Sequence, residues 1–420
     1  MTKPRSALLA DGRRILVRSA ATAAGALVGA QALVIATLVV VDGVKERGRK
    51  VRGAPRPGTF HAQVEQSQLS IYTSGATLYD DMIEAIDSAR TSIQMETFIW
   101  KGDEVGQRFM DALNGAAERG VEVHVIYDGF ANLVVRRSFY RQFSERIHVW
   151  RMPLVRRKFW KGIIRLSGLN HSKIMVVDHH IGFVGGYNIG APYALRWRDT
   201  HLREIGPAVW ELRNAIAQVW NEGREADDQI AWVPPRSGDP EVRVAANLPV
   251  QLVYPIRGTY LAAIERARSH IFITTPYFVP DQQILAALVK AAQRGVDVRV
   301  MLPEESNHIV ADWVSRGFYG QMLDAGITIL LYRAAMIHAK TATIDGRWST
   351  VGTANIDRLS LSFNYETNVE IIDPGFAAQI EKIYKADSEH CEMLTSPDWR
   401  DRHPMARLAE VILSPLRSLL

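Results

Sequence analysis

Histidine and lysine two residues apart, followed by an aspartate five further on, occur twice in this chain, at His171, Lys173, Asp178 and at His338, Lys340, Asp345. Each set suits attack on a phosphodiester. A lysine supplies a point positive charge for the non-bridging phosphoryl oxygens, and histidine acts as a nucleophile or proton donor near neutral pH. Two histidines divide those roles. The two copies stay in step beyond the signature: Gly185, Gly186 and Asn188 match Gly352, Thr353 and Asn355, Asp199 matches Glu366, and Pro207 matches Pro374, all offset by 167 residues. An uncompensated insertion in either copy would have broken that register, so the unit is duplicated. The asparagines add amide donors, and the glycine corners let backbone N–H groups come close to an anion. Such a set requires neither a cofactor nor a metal ion.

The elements around these residues read as α/β. Leu78, Met82, Ile83 and Ile86 recur at helical spacing, Ser92 to Phe98 alternates as a strand, and a helix from Val105 to Arg119 stops at Gly120 before a strand at Val121, Val123 and Val125. The order returns with a helix around Leu261 to Ala267, a strand Ile271 to Thr275, a helix Gln283 to Arg294 stopped by Gly295, and a strand at Val296, Val298 and Val300. Each half is therefore expected to be an α/β sandwich. Within each signature, His and Lys two apart on a strand would share one face. Asp178 and Asp345 fall where that strand turns, so fixing the turn competes with a catalytic role for them.

With 420 residues, 47% apolar content and a net charge of +5, the chain can bury one large core or two medium ones, and an anionic partner is favoured. Its single cysteine, Cys391, excludes an intrachain disulfide and a cysteine-rich zinc site. Residues 20–41 carry no charge and as a helix would extend about 33 Å, enough for a hydrocarbon core of about 30 Å. The preferred reading is one transmembrane anchor, with a cleaved signal peptide as the alternative. Basic residues crowd both flanks, which leans weakly toward a catalytic body on the cytoplasmic side of a bacterial-type cell membrane. The expected division is an anchor and basic linker to 58, a first half over 59–230, a linker over 231–250, a second half over 251–400, and an amphipathic tail over 401–420. Just before the first signature, Arg156, Arg157, Lys158 and Lys161 interleave with Phe159 and Trp160. That mixture suits an anionic membrane surface, with single-stranded nucleic acid or a plain solvated loop as competing readings.

The duplicated signature resembles that of the phospholipase D superfamily, and within it the bacterial cardiolipin synthases. The resemblance spans roughly residues 70 to 420 and extends to Thr275-Pro276-Tyr277-Phe278-Val279-Pro280-Asp281, to Arg358 through Glu366, and to Trp399-Arg400 and Leu413 through Leu416. It implies two tandem phospholipase D-type α/β/α sandwich halves in one pseudo-twofold body, with a single active site where they meet. It further implies that His171 forms a phosphohistidine while His338 protonates the departing alcohol. Lys173, Lys340, Asn188 and Asn355 would clamp the phosphoryl oxygens, and Asp199 and Glu366 would orient an imidazole. The implied activity is phosphatidyl transfer from phosphatidylglycerol to a second lipid or alcohol; hydrolysis of phospholipid is the alternative, and nucleic acid is not an expected partner.

Overall fold

The computed structural model describes residues 25–41, 55, 58–153, 168–222, 224, 228–234 and 241–418. The first half contains β1 (Thr59–Val64), β2 (Ser67–Tyr72), β3 (Ser92–Thr97), β4 (Glu122–Asp128), β5 (Ile147–Met152), β6 (Ile174–Val177), β7 (Ile181–Gly185), β8 (Trp197–Arg198) and β9 (His201–Ile205). All but β8 join one sheet in the order β1-β2-β9-β7-β6-β3-β4-β5. The second half contains β10 (Val242–Asn247), β11 (His270–Thr274), β12 (Phe278–Val279), β13 (Asp297–Pro303), β14 (Thr328–Tyr332), β15 (Met336–Ile337), β16 (Thr341–Ile344), β17 (Trp348–Gly352), β18 (Ile356–Asp357), β19 (Glu366–Ile372) and β20 (Cys391–Leu394). Its sheet runs β10-β19-β17-β16-β11-β13-β14-β20. The two sheets share six strands, three antiparallel (β9-β7-β6 and β19-β17-β16) beside three parallel (β3-β4-β5 and β11-β13-β14), and the sheets differ at their edges.

Local chemistry explains the repeat. Asp103 caps the helix Glu104–Glu118 by accepting from Gly106 N, and Asp281 caps Gln282–Gln293 by accepting from Gln283 N and Ile284 N. Gly120 and Gly295, both at φ +89°, then turn the chain from helix to strand. The second half's first helix starts at Pro255, earlier than the apolar spacing indicates, because proline suits a first helical position. Val242–Asn247, inside the 231–250 stretch read as a linker, is an edge strand; it pairs antiparallel to β19 and buries Val242, Ala245 and Asn247.

One large apolar cluster fills each half, a third bridges them, and two smaller ones lie beside them. In the bridging cluster Ile71, Leu202, Leu212 and Ile216 of the first half meet Val351, Val369, Ile371 and Phe376 of the second. Each such side chain contributes roughly 1.5–3 kcal/mol when fully buried, so the halves are held as one body.

Residues 25–41 are helical, yet no helix among the described residues is long and apolar enough to cross a membrane. The rest of the apolar run, 20–24, lies outside the described residues. This helix rests on the C-terminal helix Pro404–Leu413: Gln31 Nε2 donates to Ile412 O at 3.1 Å, and Val34, Ile35 and Leu38 pack with Val279, Val314 and Leu413. The tail thus packs inward through Ala409 and Leu413 while Met405, Leu408 and Val411 face outward.

Candidate active site

The signature residues sit just outside the regular ladders. His171 and Lys173 precede β6, and His338 and Lys340 lie between β15 and β16, so these are extended lead-in segments and not the strand interiors expected from the spacing. The reason is that this backbone pairs across the halves. His171 N donates to Tyr365 O at 3.0 Å and Tyr365 N to Leu169 O, while His338 N donates to Arg198 O at 2.7 Å as β15 runs parallel to β8. Each signature is therefore stitched to the segment that carries the other half's acid. His and Lys still share a face, since Lys173 Nζ donates to His171 O at 2.6 Å and Lys340 Nζ to His338 O.

That stitching crosses the acids. His171 Nδ1–H points at Glu366, with Oε2 at 2.9 Å and Oε1 at 3.0 Å; His338 Nδ1–H points at Asp199 Oδ2 at 2.6 Å. Each carboxylate thus serves the histidine of the opposite half. With Nδ1 engaged, Nε2 is the nitrogen left for chemistry in His171, while in His338 Lys340 Nζ stands 2.8 Å from Nδ1 and 3.1 Å from Nε2, a cation beside the nitrogen that faces the reaction. The glycine corners permit the approach on one side: a Cβ on Gly186 would stand 2.0 Å from Asp199 Oδ1, and one on Gly185 2.5 Å from His201 Cα. At the matching position Thr353 donates its hydroxyl to Glu366 Oε2 at 2.6 Å, so the Asp/Glu difference is paired with a Gly/Thr difference. Gly352 lies against Asn368, where a Cβ would meet Oδ1 at 2.2 Å. Asn188 Oδ1 accepts from Ile99 N at 3.1 Å, whereas Asn355 Oδ1 is buried without a protein partner.

His171, Lys173, Asn188, Asp199, His338, Lys340, Asn355 and Glu366 are all buried, none above 9% exposed. Burial dominates their titration. It pushes Asp199 up to about 6 and Glu366 up to about 7, with the lysines opposing, and draws Lys173 down to about 7 and Lys340 to about 8. Burial, then the lysine charges, hold both histidines well below their ordinary value, which leaves them neutral. An uncharged imidazole between two cationic ammoniums is suited to attack an anionic ester.

Several neighbours were not legible as site residues. Phe98 stands edge-on to His171 at 4.7 Å and lies 5.1 Å from Lys173 Nζ, while Trp197 and Tyr277 flank His338 at 4.7 and 6.3 Å. Arg198, fully buried, forms a two-point pair with Asp387 at 2.9 and 2.7 Å and donates through Nη1 to Asp199 O and Thr200 Oγ1. Tyr365, its counterpart in the other copy, reaches Glu222 at 2.9 Å. Position 198 against 365 breaks the repeat, which is why matching the copies passed over both. The basic and aromatic residues Arg156, Arg157, Lys158, Phe159, Trp160 and Lys161 lie outside the described residues.

Asp178 and Asp345 point away from the cleft and tie turns. Asp178 accepts from Arg90 N, Thr91 N, Thr91 Oγ1 and Ser92 N, and Asp345 from Arg268 N, Ser269 N, Ser269 Oγ and His270 N. Both have positive φ, as do His179 and Gly346 after them, which is the two-residue hairpin geometry. Asp178→Ala is expected to cost about 2–3 kcal/mol of stability, because four donors lose an ionised acceptor. A lowered melting temperature with kcat retained in the folded fraction would bear this out; loss of kcat at unchanged stability would place Asp178 in the chemistry.

A family model described as "Cardiolipin synthase, PLD-like domain" matches residues 82–209 and 260–388, once in each half. A Clostridium perfringens protein named cardiolipin synthase is 32% identical over 383 residues, covering 84% of this chain and 77% of the relative. A Staphylococcus aureus cardiolipin synthase is 33% identical over 370 residues, covering 83% and 74%. Among solved structures, the phosphatidylserine synthase of Haemophilus influenzae superimposes with a TM-score of 0.62 over 86% of this chain and 94% of its own, at 16% identity, a likeness of fold.

Proposed function

We propose that this phosphatidyltransferase, a chain that belongs to the cardiolipin synthase family of the phospholipase D superfamily, joins phosphatidylglycerol to a second lipid or alcohol acceptor through a phosphohistidine. The observation that carries the reading is the crossed pairing of His171 with Glu366 and His338 with Asp199 around two buried lysines. His171 Nε2 attacks phosphorus, the bond from phosphorus to the glycerol oxygen breaks, and His338 passes a proton to that oxygen. The acceptor hydroxyl then gives its proton to His338, attacks phosphorus and releases His171. Lys173, Lys340, Asn188 and Asn355 hold the phosphoryl oxygens as charge grows on them. In the free site burial, then the Lys340 and Lys173 charges, keep a second proton off His338; the bound phosphodiester anion offsets those charges and favours the protonated ring.

The 20–41 run is the membrane attachment in this reading, a single span with the catalytic body on the cytoplasmic side. Leu33, Val39 and Val40 of this helix are exposed, as are Met405, Leu408 and Val411 of the tail helix on which it rests, which supports an apolar surface there. The test is turnover of phosphatidylglycerol by the purified full chain in mixed micelles, with the lipid products resolved. Cardiolipin is the expected product. Phosphatidic acid alone would make water the acceptor, and intact lipid beside a cleaved oligonucleotide would overturn the reading.

A further inference from the structure

Beyond the catalytic cleft, the first half carries a pocket of about 430 Å³ beside the C-terminal ends of β4 and β5. Arg137, Arg141 and Arg151 line it, together with Tyr127 and Tyr140. All three arginines are exposed, and among the described residues no carboxylate lies within 4 Å of them. The two tyrosines stack on each other, centroids 4.4 Å apart and 10° from parallel, so each covers one face of the other.

The loop over this pocket is unusual in what it exposes and in how firmly it is held. Phe130, Leu133 and Val134 are 49, 63 and 82% exposed on a loop of a few residues. Water alone disfavours such a tip. Yet the loop is pinned. Asp128 Oδ1 accepts from Phe130 N and Ala131 N, both at 2.8 Å, and Asn132 Nδ2 donates to Phe98 O and Asp128 O, both at 2.7 Å, while its Oδ1 accepts from Trp100 N. Arg151 is set in place by donating to Gly129 O at 3.1 Å. Asp128 Oδ2 also accepts from Asn170 N at 3.0 Å, which ties the loop to the residue preceding His171.

From these observations we infer that Arg137, Arg141 and Arg151 bind the phosphate of an anionic phospholipid headgroup while Phe130, Leu133 and Val134 enter the acyl layer of the same bilayer. The inference rests on the phospholipid reading of the adjacent cleft. Guanidinium forks match phosphate geometry, and a ring of cations behind an apolar tip matches the two layers of a membrane in order of depth. A nucleic acid would use the arginines but has nothing to cover an aliphatic tip. The pocket therefore holds the mouth of the cleft against the anionic lipid surface from which substrate arrives.

The full chain with Cys391→Ser and Val134→Cys, labelled at position 134 with an environment-sensitive dye and reconstituted in nanodiscs, tests this directly. Adding phosphatidylglycerol to phosphatidylcholine discs is expected to shift the emission to the blue. Arg137→Gln, Arg141→Gln and Arg151→Gln together, at an unchanged melting temperature, should raise the anionic lipid needed for half the shift about a hundredfold, since each cation near an anionic surface strengthens binding about fivefold. A dye that stays in water in anionic discs, or a shift indifferent to the triple substitution, overturns the site. Cardiolipin formation without the shift leaves the proposed reaction standing and removes this site. An arginine-dependent shift in a chain that transfers no phosphatidyl group keeps this site and removes the reaction.

Discussion

His171→Ala is expected to lose turnover by roughly 10⁵–10⁶-fold and to form no covalent phosphatidyl adduct, as removal of a nucleophile that works as part of a set does elsewhere. The structure makes the loss specific. Alanine leaves Glu366 and both lysines in place, so the electrostatics of the cleft survive while the attacking atom is gone. His338→Ala should behave differently. Loss of a general acid costs about 10²–10⁴-fold, and the cost should be larger for a glycerol leaving group than for a nitrophenol, which departs without a proton. The adduct on His171 should still form from the activated ester and then persist. Rapid-quench trapping with labelled substrate reads both outcomes. An adduct in His171→Ala, or equal rate losses for both leaving groups in His338→Ala, would reverse or remove the assigned roles.

The carboxylates carry the second large effect. Glu366→Gln and Asp199→Asn should each reduce kcat by about 10³–10⁴-fold, because an amide can donate to Nδ1 and so select the wrong tautomer, turning the protonated nitrogen into the cleft. The crossed geometry sharpens this: Glu366→Gln should suppress adduct formation on His171, and Asp199→Asn should suppress proton transfer by His338, although each acid belongs to the other repeat. The pH profile of kcat/KM follows from the same groups. Glu366 must be ionised, and burial raises it to about 7, so activity falls as pH drops through that value; Lys340 must be charged, and burial lowers it to about 8, so activity falls as pH rises past it. Lys173, drawn down to about 7, narrows the bell further. Glu366→Gln should move the acid limb of the residual activity toward the Asp199 value of about 6. An acid limb that stays where it was would take Glu366 out of the titration.

Much of this molecule is legible in its sequence. The helix-to-strand corners at Gly120 and Gly295 and the hairpin turns at Asp178 and Asp345 follow from single residues' backbone preferences and appear where spacing placed them, whereas the bonds from Asp178 to Arg90–Ser92 and from Asp345 to Arg268–His270 are distant in sequence and had no local signal. Elements governed by distant partners were less legible. Val242–Asn247 reads as linker because an edge strand next to β19 needs only part of one face apolar. His171 and Lys173 read as strand interior, but their backbone pairs with the opposite half, and no local pattern announces that. Arg198 and Tyr365 share a register yet not a residue type, so the repeat gave no hint that each anchors an acid-bearing segment to a carboxylate elsewhere.

By itself, the sequence determined that two equivalent sets of His, Lys, Asn and acid exist and that each rides on the same run of helices and strands, since register and periodicity are properties of the chain. Which acid serves which histidine was decided only by the tertiary structure. A twofold repeat is equally compatible with each histidine keeping its own acid or exchanging it. The choice falls to the packing of one half on the other, where His171 meets an acid 195 residues away and His338 one 139 residues away. The apolar seam between the two sheets holds those distances to hydrogen-bond length, and no shorter stretch of the chain contains the forces that do so.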